Sequence, residues 1–291
     1  MLVIYRLTLN ESSHNTPSLT ALVTSIHPLP LRSSSASIQS RIETMADVSG
    51  SSAKEFAASL LPLYRGPTVR VQIESSDHEF EVSKQLLCKE STYFRAMFEG
   101  NFAEEQQQLA TMKEVEGVVS VRSFEALMQW LYIRRVHFDS KAPGDQVSAA
   151  IELARLADMC NITGVGHEMA RYIKDILVAN PDPRNNDSLV RHVNTNTYCL
   201  TGQNIISATS LPQGHPVRGI LAAASVEGYL RDGNYKFVKE THEHPTFGAD
   251  LLQEVRSTLN GLKVAQWKTT FEDPISGMNM GFNEGSGIVF N

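Results

Sequence analysis

The chain has 291 residues, 42% of them hydrophobic, which suits one or two domains with a sizeable core and excludes a chain disordered throughout. With 26 Lys and Arg against 32 Asp and Glu, the net charge of −6 provides no overall basic field to draw the protein to phosphate backbones. No apolar run approaches the roughly 20 residues that cross a bilayer, and three widely spaced cysteines (Cys88, Cys160, Cys199) without a C-x-x-C suit neither a disulfide scaffold nor a Cys-based zinc site, pointing to a reducing compartment, cytoplasm and/or nucleus.

Residues 1–51 are rich in Ser and Thr and interrupted by Pro17, Pro28 and Pro30. Such a segment buries too little apolar surface to offset its ordering entropy, so disorder is expected there. The apolar start Leu2–Tyr5 is short and has no charged region ahead of it, and Arg6, Arg32 and Arg41 are matched by Glu11, Glu43 and Asp47; a targeting peptide is not expected.

A folded domain is expected over 52–180. Phe56, Leu60, Leu63 and Tyr64 fall near helical spacing and Pro67 closes that segment. Val69, Val71 and Ile73 alternate with polar residues, Ser75-Ser76-Asp77 is turn chemistry, and Phe80 and Val82 alternate again, so a strand hairpin is expected. The period then becomes helical. Leu86 and Leu87 lead to Ser91, an N-cap, followed by Tyr93, Phe94, Met97 and Phe98 on one face and Gly100 as the stop. Val119 and Val121 suggest another strand. Phe124, Leu127, Met128, Leu131 and Tyr132 make a second amphipathic helix, and Val147, Ile151, Ala154 and Ala157 a third.

Pro181-Asp182-Pro183 and the polar run after it form a linker-like break, and residues 181–273 carry mostly helical signals. Pro216 sits where a first helical turn tolerates proline, ahead of Ile220, Leu221, Ala224 and Tyr229. Leu251, Leu252, Val255 and Leu259 form another stripe, ended by Gly261. From Pro274 onward the glycines at 277, 281, 285 and 287 suggest a flexible tail, 274–291.

The order of these pieces carries a resemblance. The hairpin strands Val69-Arg70-Val71-Gln72-Ile73 and Phe80-Glu81-Val82-Ser83-Lys84, the Leu86-Leu87 pair, Ser91-Thr92-Tyr93-Phe94-Arg95-Ala96-Met97, then Phe102-Ala103-Glu104 and Phe124 through Tyr132 together resemble the BTB/POZ domain. Helices over 147–178 look like its closing pair. Gly214-His215-Pro216-Val217-Arg218 and Tyr235-Lys236-Phe237 look, more weakly, like the C-terminal region common in fungal BTB proteins. The resemblance implies an α+β fold, a small sheet flanked by helices, followed by a mostly helical C-terminal region.

It also implies a protein-interaction module without catalysis or cofactor. Its sharpest form is a substrate adaptor that joins a cullin-type ubiquitin ligase to a substrate protein, because Phe102 and Glu104 match the family's hydrophobic-x-Glu contact. The alternative is a scaffold or transcription-associated protein that works by self-association. Many family members place an aspartate just before the first strand and a histidine before the lysine, where this chain has Thr68 and Ser83. The dimer interface of the transcription-factor type relies partly on that aspartate and a partner charge, so homodimerisation by that route is not carried over.

The residues themselves offer little other chemistry. G-x-S-x-G and P-loop patterns are absent, and Gly164-Val165-Gly166 follows a helical pattern where a dinucleotide site requires a strand, so a helix-ending glycine turn is expected. His242-Glu243-His244 would aim two imidazoles the same way on a strand, the one basis for a metal-dependent enzyme; a solvated loop before Pro245 is the plainer reading. Cys88 reads as a small buried hydrophobe. Arg134, Arg135 and His137 form a basic cluster too small for a nucleic-acid surface and read as a solvated turn.

Overall fold

The alternation of apolar and polar residues at 69–73 builds β1 (Thr68–Ile73), whose Val69, Val71 and Ile73 face the core, and the matching alternation at 80–82 builds β2 (Glu79–Ser83). The two pair antiparallel with Val69 opposite Val82 and Val71 opposite Phe80. The computed structural model describes residues 61–74, 76, 78–186, 193–265 and 268–282. The expected disorder of 1–51 and most of the expected helix at 52–64 lie outside these residues. Of that helix, Leu61–Tyr64 is a 3-10 turn, anchored by the Tyr64 ring stacked 5.5 Å from Tyr132.

The period then switches to 3.6. Helix α1 (Lys84–Glu90) starts at Ser83, whose side chain accepts a hydrogen bond from the Leu86 amide at 3.3 Å and donates one to the Leu63 carbonyl. Helix α2 (Thr92–Glu99) starts at Ser91, whose hydroxyl accepts from the Phe94 amide at 3.1 Å and donates to the Cys160 carbonyl at 2.6 Å. Phe94 and Phe98 are fully buried on its inner face. After the short α3 (Ala103–Gln107) comes β3 (Leu109–Met112), which pairs parallel to β1 and completes a sheet of order β2-β1-β3.

The third strand is therefore at 109–112, and the strand expected around Val119 and Val121 is corrected. Val119 makes only an isolated bridge to Val115, and Val121 opens helix α4 (Val121–Ile133). The reason is Ser120. Its side chain accepts from the Ser123 amide while the Ser123 hydroxyl accepts from the Ser120 amide, a reciprocal cap that starts a helix where apolar alternation suggested a strand.

Helices α5 (Pro143–Met159) and α6 (Val165–Ala179) close this part of the fold. Gly164 begins α6 as its N-cap, with φ of +86°, where a helix end was expected. Arg134 is turned inward from the basic cluster. It ends α4 in a left-handed conformation, pairs with buried Glu90 at 2.7 Å and lies 5.7 Å over the Trp130 ring.

Beyond a 3-10 turn at Pro183–Asn186 the core continues without a gap into α7 (Gly202–Ala208), α8 (Pro216–Arg231), α9 (Val238–Glu243) and α10 (Pro245–Asn260). Helix α8 is buried from Leu221 to Val226, and its run of three alanines lets α6 and α10 pack closely against it. The end of the chain differs from expectation. Residues 274–282, expected in a flexible tail, instead close an antiparallel sheet of β4 (Lys263–Ala265), β5 (Lys268–Glu272) and β6 (Asn279–Gly281). Asp273, fully buried, accepts hydrogen bonds from Asn196 Nδ2 and the Ser276 amide, both at 2.8 Å, while Phe271, Ile275 and Met280 bury their side chains. The rest of that expected tail, 283–291, lies outside the described residues.

Candidate functional site

The buried half of α2 determines where its end points. With Phe94 and Phe98 fixed in the core, the helix stops at Gly100, where an added Cβ would lie 2.1 Å from the Ala96 carbonyl oxygen and 3.2 Å from the Phe102 ring. Glycine is thus required for the chain to turn this closely. Asn101 follows in the left-handed region with φ of 58°, and its amide donates to the Glu105 carboxylate at 3.1 Å. Glu105 in turn sits in the first turn of α3, so the carboxylate reaches back to close the turn. Phe102 is the N-cap residue of α3 and projects from this ring of contacts.

Phe102 is 54% exposed, the most exposed aromatic ring among the large hydrophobic side chains of the described residues. Glu104, one residue into α3, is partly exposed and, among the described residues, makes no hydrogen bond or ion pair. Its charge is felt by Tyr93: burial raises the Tyr93 hydroxyl pKa first of all, with Cys160 and the Glu104 carboxylate adding to the rise. On the far side, left-handed Gln108 hands the chain directly to β3. The result is an apolar ring and a nearby carboxylate held on a short helix between a core helix and a core strand. Such a patch can enter an apolar groove on a protein partner and place a negative charge at its rim.

Sequence reading singled out Phe102 and Glu104; the structure places Phe102 as the N-cap of α3 and Glu104 in its first turn. Gly100, Asn101 and Glu105, which shape the turn, were missed as a set. Their signal was present: a Gly-Asn turn dipeptide with a glutamate at the third residue of the following helix.

The two positions that depart from the family pattern have local roles. Thr68 opens β1 and its hydroxyl donates to Glu81 at 2.6 Å, while Ser83 is buried as the cap of α1 and its amide donates to the Tyr132 hydroxyl at 3.0 Å. The strand geometry considered for the histidine cluster is corrected. His242 lies in the last turn of α9 and His244 caps α10, so no strand aims both imidazoles one way. Among the described residues no group of three or more His, Cys, Asp or Glu is set to hold a metal. His242 instead borders an open cleft of about 560 Å³ lined by Tyr229, Tyr235 and Leu252. Burial pushes the Cys88 thiol up to about 11 and that of Cys160 up to about 12, and it also raises Cys199. None is a ready thiolate nucleophile.

The fold matches in kind what the family comparison reports. The model of the BTB/POZ domain family matches residues 64–176, from Tyr64 at the entry to β1 through nearly all of α6. A search of curated proteins found no match. The hairpin, the third strand parallel to β1 and all but the last turn of the closing helix pair fall inside the matched span, and residues 64–176 of this chain are a BTB/POZ domain, a module that binds other proteins.

Proposed function

We propose that this protein is a substrate adaptor of a cullin-type ubiquitin ligase, with Phe102 as the anchor seated between cullin helices and Glu104 at the polar margin. The observation that carries the reading is the exposure of Phe102 on a turn whose backbone is fixed from both sides. A ring that covered its own core would be buried like Phe94 and Phe98, a few residues earlier. An exposed phenylalanine on a preorganised turn loses little conformational entropy on docking, which favours its use as a hot spot. The substrate protein would be held elsewhere on the chain.

Phe102→Ala tests this directly. Calorimetry with the host's BTB-binding cullin is expected to show a loss of at least ~2 kcal/mol, about thirtyfold in affinity. Thermal unfolding of the same variant should stay within about 0.5 kcal/mol of wild type, as for a surface change. Glu104→Gln should weaken binding less, because a rim charge acts mainly on association rate. Wild-type protein with no detectable affinity at ~100 μM cullin would end the adaptor reading in favour of a self-associating scaffold.

A further inference from the structure

One imidazole sits at the joint between the BTB/POZ domain and the C-terminal helices. His215 is the N-cap of α8, and its Nδ1 accepts a hydrogen bond from the Val217 amide at 3.2 Å. The opposite edge of the ring lies against the first turn of α6, so close that a Cβ added at Gly166 would be 2.6 Å from Nε2. The half-buried ring therefore spans the start of α8 and the start of α6. Both starts present the positive end of a helix dipole to it, and α6 has no side chain capping its own first amides.

The charged neighbours come from each element packed around the ring. Asp158 faces it from the last turn of α5, His167 from the first turn of α6, and Arg218 from α8 itself, with Arg218 already paired to Asp250 of α10. One carboxylate thus stands against two cationic or titratable neighbours and two helix starts. The hydrogen bond from the Val217 amide needs an unprotonated Nδ1. A proton on Nδ1 would turn the acceptor into a donor pointed at the Val217 N–H and add positive charge where both dipoles disfavour it.

We propose that His215 is an acid-released latch, whose neutral imidazole holds the start of α8 on α6 and whose protonation loosens the C-terminal helices from the BTB/POZ domain. Burial lowers the affinity of His215 for its proton below the ordinary imidazole value of 6.5; Asp158 opposes this, and His167 and Arg218 reinforce it. The folded state therefore binds fewer protons here than the opened one. The contribution is whole above about pH 6.5 and is lost as pH falls toward the lower folded-state value.

Hydrogen exchange followed by mass spectrometry on the full chain, at about pH 7.5 and about pH 5.5 and corrected for intrinsic rates, tests the latch. In wild type, opening of the first turns of α6 and α8 should rise roughly fivefold on acidification, the scale of a lost helix cap, while peptides around Phe94 stay unchanged. His215→Asn caps without titrating and should show no such rise; His167→Gln should keep it. Equal acid sensitivity in His215→Asn, its loss in His167→Gln, or a uniform rise across all peptides would overturn the proposal. Should His215→Asn fail to fold, the His215 ring resonance of wild type decides: a midpoint below 6.5 is required, and one at or above it is fatal.

Discussion

Phe94→Ala is expected to destabilise the protein by about 3–5 kcal/mol, the cost of removing a buried phenyl ring together with the cavity left behind. Phe94 is fully buried and touches rings on three sides: Tyr93 at 5.2 Å, Phe98 at 6.4 Å and Phe124 at 6.5 Å. Phe124 in turn packs on Phe80 of β2 at 4.9 Å, so the lost ring sits where α2, α4 and the sheet meet. Collapse around the void would have to move all three, which favours the upper part of that range. In a chain of this size the melting temperature should fall on the order of 10 °C. Differential scanning calorimetry checks this, and a fall under about 1 kcal/mol would mean that the helix is oriented otherwise. The comparison with Phe102→Ala is informative because the two rings lie eight positions apart on one helix and its exit. One change should reduce stability, the other partner affinity.

That contrast also shows how far the sequence could be read. Core positions of α2, α4, α5 and α10 follow from 3.6-residue spacing, and the β1–β2 hairpin from alternation on either side of a turn. The helix start at Ser91 is a local signal and is seen in the structure. Strand β3 is a different case. Leu109-Ala110-Thr111-Met112 is four residues long, mixes weak strand formers, and gains its stability from a parallel pairing with a strand nearly forty positions earlier. No window of the sequence around it contains that partner. Residues 274–282 escaped for a similar reason: glycines and a proline suggest mobility, yet Asp273 is tied to Asn196 across 77 positions. At the candidate site the F-x-E spacing was legible but its exposure was not. A phenylalanine after a core helix can fold inward or outward, and here the Gly100 turn and the Asn101–Glu105 bond direct it outward.

Arg218→Met should be nearly as damaging as the loss of Phe94, at about 3–5 kcal/mol, because it breaks a buried ion pair and strands one partner. The Arg218 guanidinium is almost wholly buried. Its Nε and Nη2 both lie 2.7 Å from the Asp250 carboxylate, Nη1 donates to the Leu211 carbonyl at 2.9 Å and Nη2 to that of Thr246 at 3.2 Å. One side chain thereby ties α8 to the approach to α8 and to the start of α10. Without it, the Asp250 carboxylate would face Glu254 one turn on, whose pKa is already raised by burial and secondarily by Asp250. The motif Gly214-His215-Pro216-Val217-Arg218 builds this same junction. Gly214 adopts φ of +78°, His215 caps, Pro216 fills the first helical position, Val217 is fully buried and Arg218 makes the pair. In Tyr235-Lys236-Phe237 the aromatic residues enter the core while the Lys236 ammonium donates to the Thr197 carbonyl at 2.7 Å. The decisive comparison is the double variant Arg218→Met with Asp250→Leu. If the cost arises from a stranded charge, urea unfolding of the double variant should recover most of the lost stability, since two packed apolar side chains need no compensation. If the double variant remains as unstable as Arg218→Met, the hydrogen bonds to Leu211 and Thr246 hold the helices together, and the ion pair is secondary.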